Sequence, residues 1–468
     1  MFEWLGRLIG RIRRAVFPAA DVERVFQVSP VTSRTMAQGI DLWYAMYINR
    51  PPWETCDVVP LGLPAAVVRE LQRSALAEFS LQLEGGPRAE YLDRQLTAAS
   101  AAALPTALEI GLALGGVALR PCLEGDRLVV DATGPTGFSP TAFDASGRAT
   151  GGVFKETVRQ GDRWYTRFES HRFEHLDNGA SVYVVQNALY RSNATGGPSG
   201  DPLPLSTVPK WAGMAEETRI SGLERPLFAY FRRPSANTTD FGSPLGESVF
   251  AGAAVSLCRQ ADEQWGRLMW EYQSGERKIF MDGRVVDPGA MDSRMIVRGA
   301  FSAEGNLFEP FNPELRDDAL YNGFQRLLQR LEFETGLAFG DISDPQAVEK
   351  TATEVRSSRQ RKFVTVQAIQ RAWQEALDGL LYAMEAWCDL YGLAPAGEVT
   401  AAYTWGDSVL DDPDSRRQEM AMDLQAVAAG LFNDYEYRMK WFGETEEEAR
   451  SRLPGLDALT TEPQFETE

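Results

Sequence analysis

The sequence carries only two histidines, His171 and His175, among its 468 residues, and that scarcity narrows the chemistry open to it. Their HxxxH spacing could place both on one helix face as metal ligands. The local pattern is strand and turn, however, and no third ligand lies nearby in sequence, so positions on a sheet surface are the simpler account. A Ser-His-Asp triad has few ways to form: Ser139, Ser181 and Ser199 lie near Gly or Pro, but GxSxG is missing. GxxxxGK(S/T) and GxGxxG are also missing, so Gly115-Gly116, which follows an apolar run, gives nucleotide binding little support. Asp411-Asp412-Pro413-Asp414 lacks the further oxygen ligands of a cation loop and reads as a turn, with Asp414 or Ser415 as N-cap. No cofactor and no catalytic activity are expected.

The four cysteines (Cys56, Cys122, Cys258, Cys388) lie far apart without CxxC spacing, the pattern of reduced thiols in an intracellular setting. No apolar run reaches ~18 residues, so no transmembrane helix is predicted. The segment Met1 to Pro18 is amphipathic, with Arg7, Arg11, Arg13 and Arg14 interrupting its apolar residues. A signal peptide would need an unbroken apolar stretch and a cleavage site. A helix docking on a partner protein is favoured over binding at a membrane surface. Positive charge is also in deficit: 47 Lys and Arg against 66 Asp and Glu leave a net −19. Affinity for DNA comes from Lys and Arg, so the chain is a poor candidate for wrapping it. DNA passing by without adhering remains compatible with that charge.

What is present is helix pattern on a large scale. One helix runs through Leu320, Phe324, Leu327, Leu328 and Leu331 and stops at Gly336. After a loop rich in Gly and Asp, Thr351-Ala-Thr-Glu354 supplies a capping box for a second helix. Its apolar stripe continues through Val366, Ile369, Trp373, Leu377, Leu380, Leu381, Met384, Trp387 and Tyr391, until Gly392 and Pro395 end it. A helix of about 40 residues is roughly 60 Å long. It is expected to pack against something extended, most plausibly neighbouring copies.

The hydrophobic content of 44% is a globular value, and the length predicts more than one substructure. Residues 20–120 read mostly as helix, with aromatics flanking a Pro-Pro break between Trp43 and Trp53 and an amphipathic segment over 65–83. From 121 to 231 the period changes to two. Val153–Val158, Arg163–Phe168 and Ser181–Val185 are separated by Gly, Asp and Asn turns, which predicts an antiparallel meander. Leu227–Phe231 is one more strand. Helix returns over 247–273, with Phe250, Ala253, Leu257, Ala261, Trp265, Leu268 and Tyr272 on one face. An insert over 276–313 has β-like pieces at Lys278–Met281 and Met295–Val297, so two helices bracket a small β-rich tip. A strand over Val399–Trp405, helices near 414–429 and 434–453 and an acidic tail complete the chain. The fold class is α+β. Basic residues gather at Arg277, Lys278, Arg284, Arg294 and Arg298 in the tip, and at Arg356, Arg359, Arg361 and Lys362 in the long helix. Each cluster is read as a solvated face or subunit ion pairs, with contact to phosphates or an acidic partner as the functional alternative.

In this order the segments resemble the portal proteins of tailed bacteriophages, most closely the siphophage type. The resemblance is carried by Trp43–Trp53, by Gly115–Arg120 with Phe138–Phe143 and Gly152–Phe154, and by Ser274–Phe280. It continues through Phe311–Arg316, Lys350–Val355, Trp405–Asp412 and Tyr437–Ala449. Coverage is nearly end to end, and the words are structural, so their joint order is what makes the match specific.

The resemblance implies a ring, usually of twelve subunits, at one capsid vertex. Residues 1–245 would form most of a wing, 246–275 and 314–336 a stem, and 276–313 a clip facing the terminase large subunit and head–tail adaptor. Residues 337–350 would be a tunnel loop, 351–405 a long wing helix with its return strand, and 406–468 a crown with an acidic tail. Major capsid and scaffolding proteins would be further partners, and double-stranded DNA would pass through the axis without sequence specificity. No membrane is involved on this reading. Phe339, Gly340, Asp341, Ile342, Ser343 and Asp344 would face the DNA, and an acidic loop without Lys or Arg is expected to guide without gripping. Arg277, Lys278, Arg284, Arg294 and Arg298 would serve docking at the clip. Thr351, Glu354, Arg356 and Arg359 would open the long helix. A head-completion or portal-like protein of a defective prophage or gene-transfer particle is the nearest alternative. A metal-dependent hydrolase using His171 and His175 is the remote one.

Overall fold

A computed structural model describes residues 15–125, 127–177, 179–194, 196–276, 278–282, 296–299, 308–311, 313–345, 352–406, 413–431 and 433–453. The chain divides into two compact units, residues 1–406 and 407–468.

The first unit is mixed α+β. Helices α1 (Ala19–Phe26), α2 (Arg34–Tyr47) and α3 (Leu63–Leu76) are followed by β1 (Ser80–Gly85), α4 (Pro87–Ser100) and α5 (Ala103–Leu114). The amphipathic segment expected over 65–83 is therefore two elements. Its second half leaves the helix because β1 pairs antiparallel with β14 (Val399–Thr404), and no local period reports a partner so distant in sequence. Gly115 ends α5 in the left-handed region at φ +87°, and a Cβ there would lie 2.4 Å from the Gly246 carbonyl oxygen. That position needs glycine for its backbone.

The expected meander is present and longer than its apolar cores. Strands β4 (Phe138–Phe143), β5 (Ala149–Gln160), β6 (Arg163–His175), β7 (Ser181–Ser192) and β8 (Pro198–Leu203) lie side by side in antiparallel order. A further strand, β9 (Glu217–Ser221), pairs with β7. Strand β2 (Gly116–Glu124) lies between β3 (Arg127–Thr133) and β10 (Ala229–Arg232) in a second sheet.

Helix α6 (Ala253–Ser274) starts later than its apolar pattern, because Gly252 at φ +61° turns the chain and leaves Phe250 buried ahead of it. Its buried face is Ala254, Val255, Cys258, Ala261 and Leu268, whereas Ala253 and Tyr272 face solvent, so the expected face was misplaced at both ends. Helix α7 (Asp317–Thr335) runs back along it: Trp265 meets Phe324 at 5.3 Å between ring centroids, and the Gln264 amide donates to the Leu320 carbonyl at 3.1 Å. Between them lies a three-stranded sheet, in which β11 (Lys278–Asp282) pairs parallel with β12 (Ile296–Gly299) and antiparallel with β13 (Phe308–Phe311). The third strand had no signal in the alternation.

Helix α8 (Ala352–Tyr391) is 40 residues long. Its expected stripe is buried from Val366 through Met384, with Trp373 meeting Phe231 of β10 edge-on at 5.3 Å, while Tyr391 is exposed. The chain's own β2, β10 and α3 therefore cover this helix, and its length alone does not require a neighbouring copy.

The second unit contains α9 (Pro413–Ala428), α10 (Asp434–Phe442) and α11 (Glu446–Ser451). Asp414 and Ser415 lie inside the first turn of α9, past the expected cap position. The helix expected over 434–453 breaks at Gly443 (φ +65°), and Thr445 with Glu448 restarts it through a capping box. The amphipathic segment Met1–Pro18 is described only from Ala15, and the acidic tail beyond Leu453 lies outside the described residues.

Candidate functional site

Two buried carboxylates of α6 hold the turn of the α6/α7 hairpin and its neighbouring segment. Near the turn, Glu271 accepts from the Arg316 backbone N–H and Nε, each at 3.1 Å, and from Nη2 at 2.7 Å. The Arg316 hydrogen bonds hold this carboxyl below its ordinary range. Farther down α6, Asp262 accepts from Trp53 Nε1 at 2.8 Å and from Leu61 N–H at 2.9 Å. Burial pushes Asp262 upward, against the pull of both donors. Gly266 completes this joint, since a Cβ there would sit 2.6 Å from the Asp57 carbonyl oxygen. The aromatic Pro-Pro segment is thus joined to α6.

The Gly- and Asp-rich loop after α7 is built around one side chain. Glu332, fully buried, accepts through Oε1 from the N–H groups of Gly340 (3.1 Å), Ile342 (2.8 Å) and Ser343 (2.7 Å). Its Oε2 accepts from Ser343 Oγ at 2.9 Å. Gln325 accepts from Asp344 N–H, Ser358 from Phe339 N–H, and Asp341 from Ala338 N–H, all at 2.8 Å. Leu337, Ala338 and Ser343 are buried.

The charges expected to face outward are partly spent inside. Lys362 is buried and bridges Glu70 of α3 at 2.7 Å and Asp341 of the loop at 3.1 Å. Arg361 stacks on Phe333 at 4.5 Å and on Phe339 at 5.3 Å. Burial draws Arg361 below the usual arginine range, and the Glu332 charge opposes that shift. Neither residue belongs to a solvated basic face, which corrects that reading of the cluster.

Of the remaining tip and helix-start positions, Lys278 lies on β11, Arg298 on β12, and Glu354, Arg356 and Arg359 in the first turns of α8. Arg277, Arg284, Arg294 and Thr351 lie outside the described residues, and with Thr351 the expected capping box does too. Sequence reasoning missed Glu332, Gln325 and Ser358. A signal existed for Glu332: it stands four residues after Leu328 on the apolar face of α7, where a carboxylate needs donors.

The histidines do not form a metal site. Both lie on β6, but His171 is buried, which corrects the surface assignment, while His175 is exposed. His171 Nε2 donates to Glu169 Oε1 at 2.8 Å, because an ionised carboxylate only accepts. Its Nδ1 lies 2.8 Å from the Tyr183 hydroxyl, which accepts from the Leu227 N–H at 3.0 Å. A neutral imidazole with its proton on Nε2 satisfies all of these partners. Glu169 also pairs with Arg120 at 3.0 Å and with Arg167. Burial raises the Glu169 carboxyl, but Arg120 and Arg167 outweigh that and hold it well below its ordinary range. Among the described residues, no group of three or more His, Cys, Asp or Glu side chains could hold a metal ion.

No protein-family model matches the chain, and no curated protein matches it in sequence.

Proposed function

We propose that the chain is a portal protein, which assembles into a ring at one capsid vertex and conducts double-stranded DNA during packaging and ejection. The observation that carries this reading is the α6/α7 hairpin with a small sheet between its helix ends and large apolar side chains left uncovered along it. Trp270 is 63% exposed, Tyr272 42%, Leu315 42% and Tyr321 37%. A monomer gains nothing from such a surface, whereas neighbours in a closed ring would bury it.

The order of parts supports the same reading. The antiparallel stem leads into the loop over 337–345, which leads into the 40-residue helix. The tip sheet would be the clip that docks the terminase large subunit and the head–tail adaptor, and the second unit would be the crown. A net charge of −19 weakens adhesion of phosphates, so DNA can slide under the force of a separate motor. Capsid and scaffolding proteins would surround the wing.

The test is the mass and shape of the purified full-length chain, by light scattering and negative-stain microscopy. Twelve copies of the 51.9 kDa chain give a ring of about 620 kDa with a central hole. A monomer that stays open when scaffolding protein is supplied, or a compact dimer, would overturn the proposal. A ring recovered from particles that carry host DNA would assign it to a gene-transfer particle or defective prophage.

A further inference from the structure

Three backbone N–H groups and a hydroxyl converging on one carboxylate, at 2.7 to 3.1 Å, form an anion site in miniature. Successive N–H groups turned to one side of a short loop bind phosphate, sulfate or carboxylate in many proteins. Here the anion is part of the chain. A second observation points to the same chemistry: Arg361, within electrostatic reach of Glu332, has a buried Nη1 with no hydrogen-bond partner.

We propose that residues Gly340, Ile342 and Ser343, with Arg361 beside them, are an oxyanion site kept plugged by the chain's own Glu332 carboxylate. While Glu332 occupies it, the loop has no free N–H at these positions to offer an external phosphate or carboxylate. The contact is therefore autoinhibitory, and it fixes the loop against α7 at the same time. This inference does not depend on ring formation, since every group in it belongs to one chain.

The experiment is hydrogen–deuterium exchange on full-length Glu332→Ala, with Glu332→Gln as a second variant. Removing an acceptor that serves three N–H groups should speed exchange at 340, 342 and 343 by roughly tenfold or more. Inorganic phosphate or acetate, added to folded Glu332→Ala, should restore protection there, while chloride at equal ionic strength should not. Rescue by both anions indicates a general oxyanion site, and rescue by phosphate alone indicates a tetrahedral one. The unsubstituted chain should show no response to either anion. Glu332→Gln, which keeps one acceptor oxygen without the charge, should exchange at an intermediate rate. Wild-type protection in Glu332→Ala, or failure of both anions to restore it, would overturn the proposal. So would loss of folding in both variants, because Glu332 would then be a group the hairpin cannot fold without.

Discussion

Arg120 holds three neighbours at once: Glu169 at 3.0 Å, Asp131 at 2.9 Å and the Phe154 ring at 4.3 Å. Deleting one partner of a buried charge group strands the others, which typically costs about 3–5 kcal/mol. Arg120→Ala should therefore lower the unfolding free energy from urea melts by an amount of that order. The pH dependence has a definite sign. The Glu169 carboxyl is depressed in the folded state, so its contribution is complete above its ordinary value of 4.5 and fades as pH falls through the lower, folded value. Arg120→Ala removes part of that depression, so its acid unfolding should begin at higher pH than in the unsubstituted chain. Denaturant melts of both proteins between pH 3 and 7 check this. At this scale the sequence was half legible. Alternation on β6 puts Arg167, Glu169 and His171 on one face, but nothing local says that this face is the covered one. What decides it is Phe228, which meets His171 edge-on at 5.7 Å from a segment more than fifty residues later.

Elements were more legible than residues, because periodicity is a local property and burial is not. Helix α7 ends at Gly336 as its composition predicts, and α8 has the length that its stripe implies. Gly336 sits at φ +78°, and a Cβ there would lie 2.4 Å from Thr365 Oγ1 of α8. Gly200 has a similar φ of +75° with nothing within 4 Å. Gly200→Ala should therefore cost only the backbone preference, about 1 kcal/mol. Gly336→Ala should cost that plus the displacement of a packed helix, on the order of 1–3 kcal/mol more. Thermal melts of the two variants separate the terms, and equal losses would show that α7 and α8 are not tightly apposed there. Among the elements that escaped the sequence reading, β1 pairs with a strand some 300 residues away and β13 is a four-residue strand without alternation, so only pairing reveals them.

For the whole molecule, the contrast between the units is informative. Residues 15–406 bury many large side chains, including Trp43, Trp211 and Trp373. Among the residues of 420–453 whose burial is described, Ala449 alone is buried, while Met422, Leu424, Leu431 and Phe442 are each more than half exposed. A unit with so little core adds little to its own stability. The first unit closes its last strand, β14, within itself. Removal of 407–468 should therefore leave the main melting transition of residues 1–406 within a few degrees of the full chain. A large drop would show that the C-terminal helices support the first unit. The α+β class was legible from composition and order. The internal use of Glu332, Lys362 and Arg361 was not, because it depends on three elements meeting in space.

The pairing of β1 with β14 also sets a schedule for the chain as it leaves the ribosome. Ser80–Gly85 is made early, and its partner Val399–Thr404 follows some 300 residues later. At ordinary rates of synthesis that interval is about 15–60 s. For all of it, β1 presents an open edge, the kind that recruits other strands in a crowded cell. Long-range closure is slow in any case, because loop entropy must be overcome before the contact rewards it. Translation thus proceeds for most of its course with the seam of the first unit undone. In a nascent chain of this topology Leu81 and Leu83 wait for their partners Tyr403 and Ala401 until β14 has emerged.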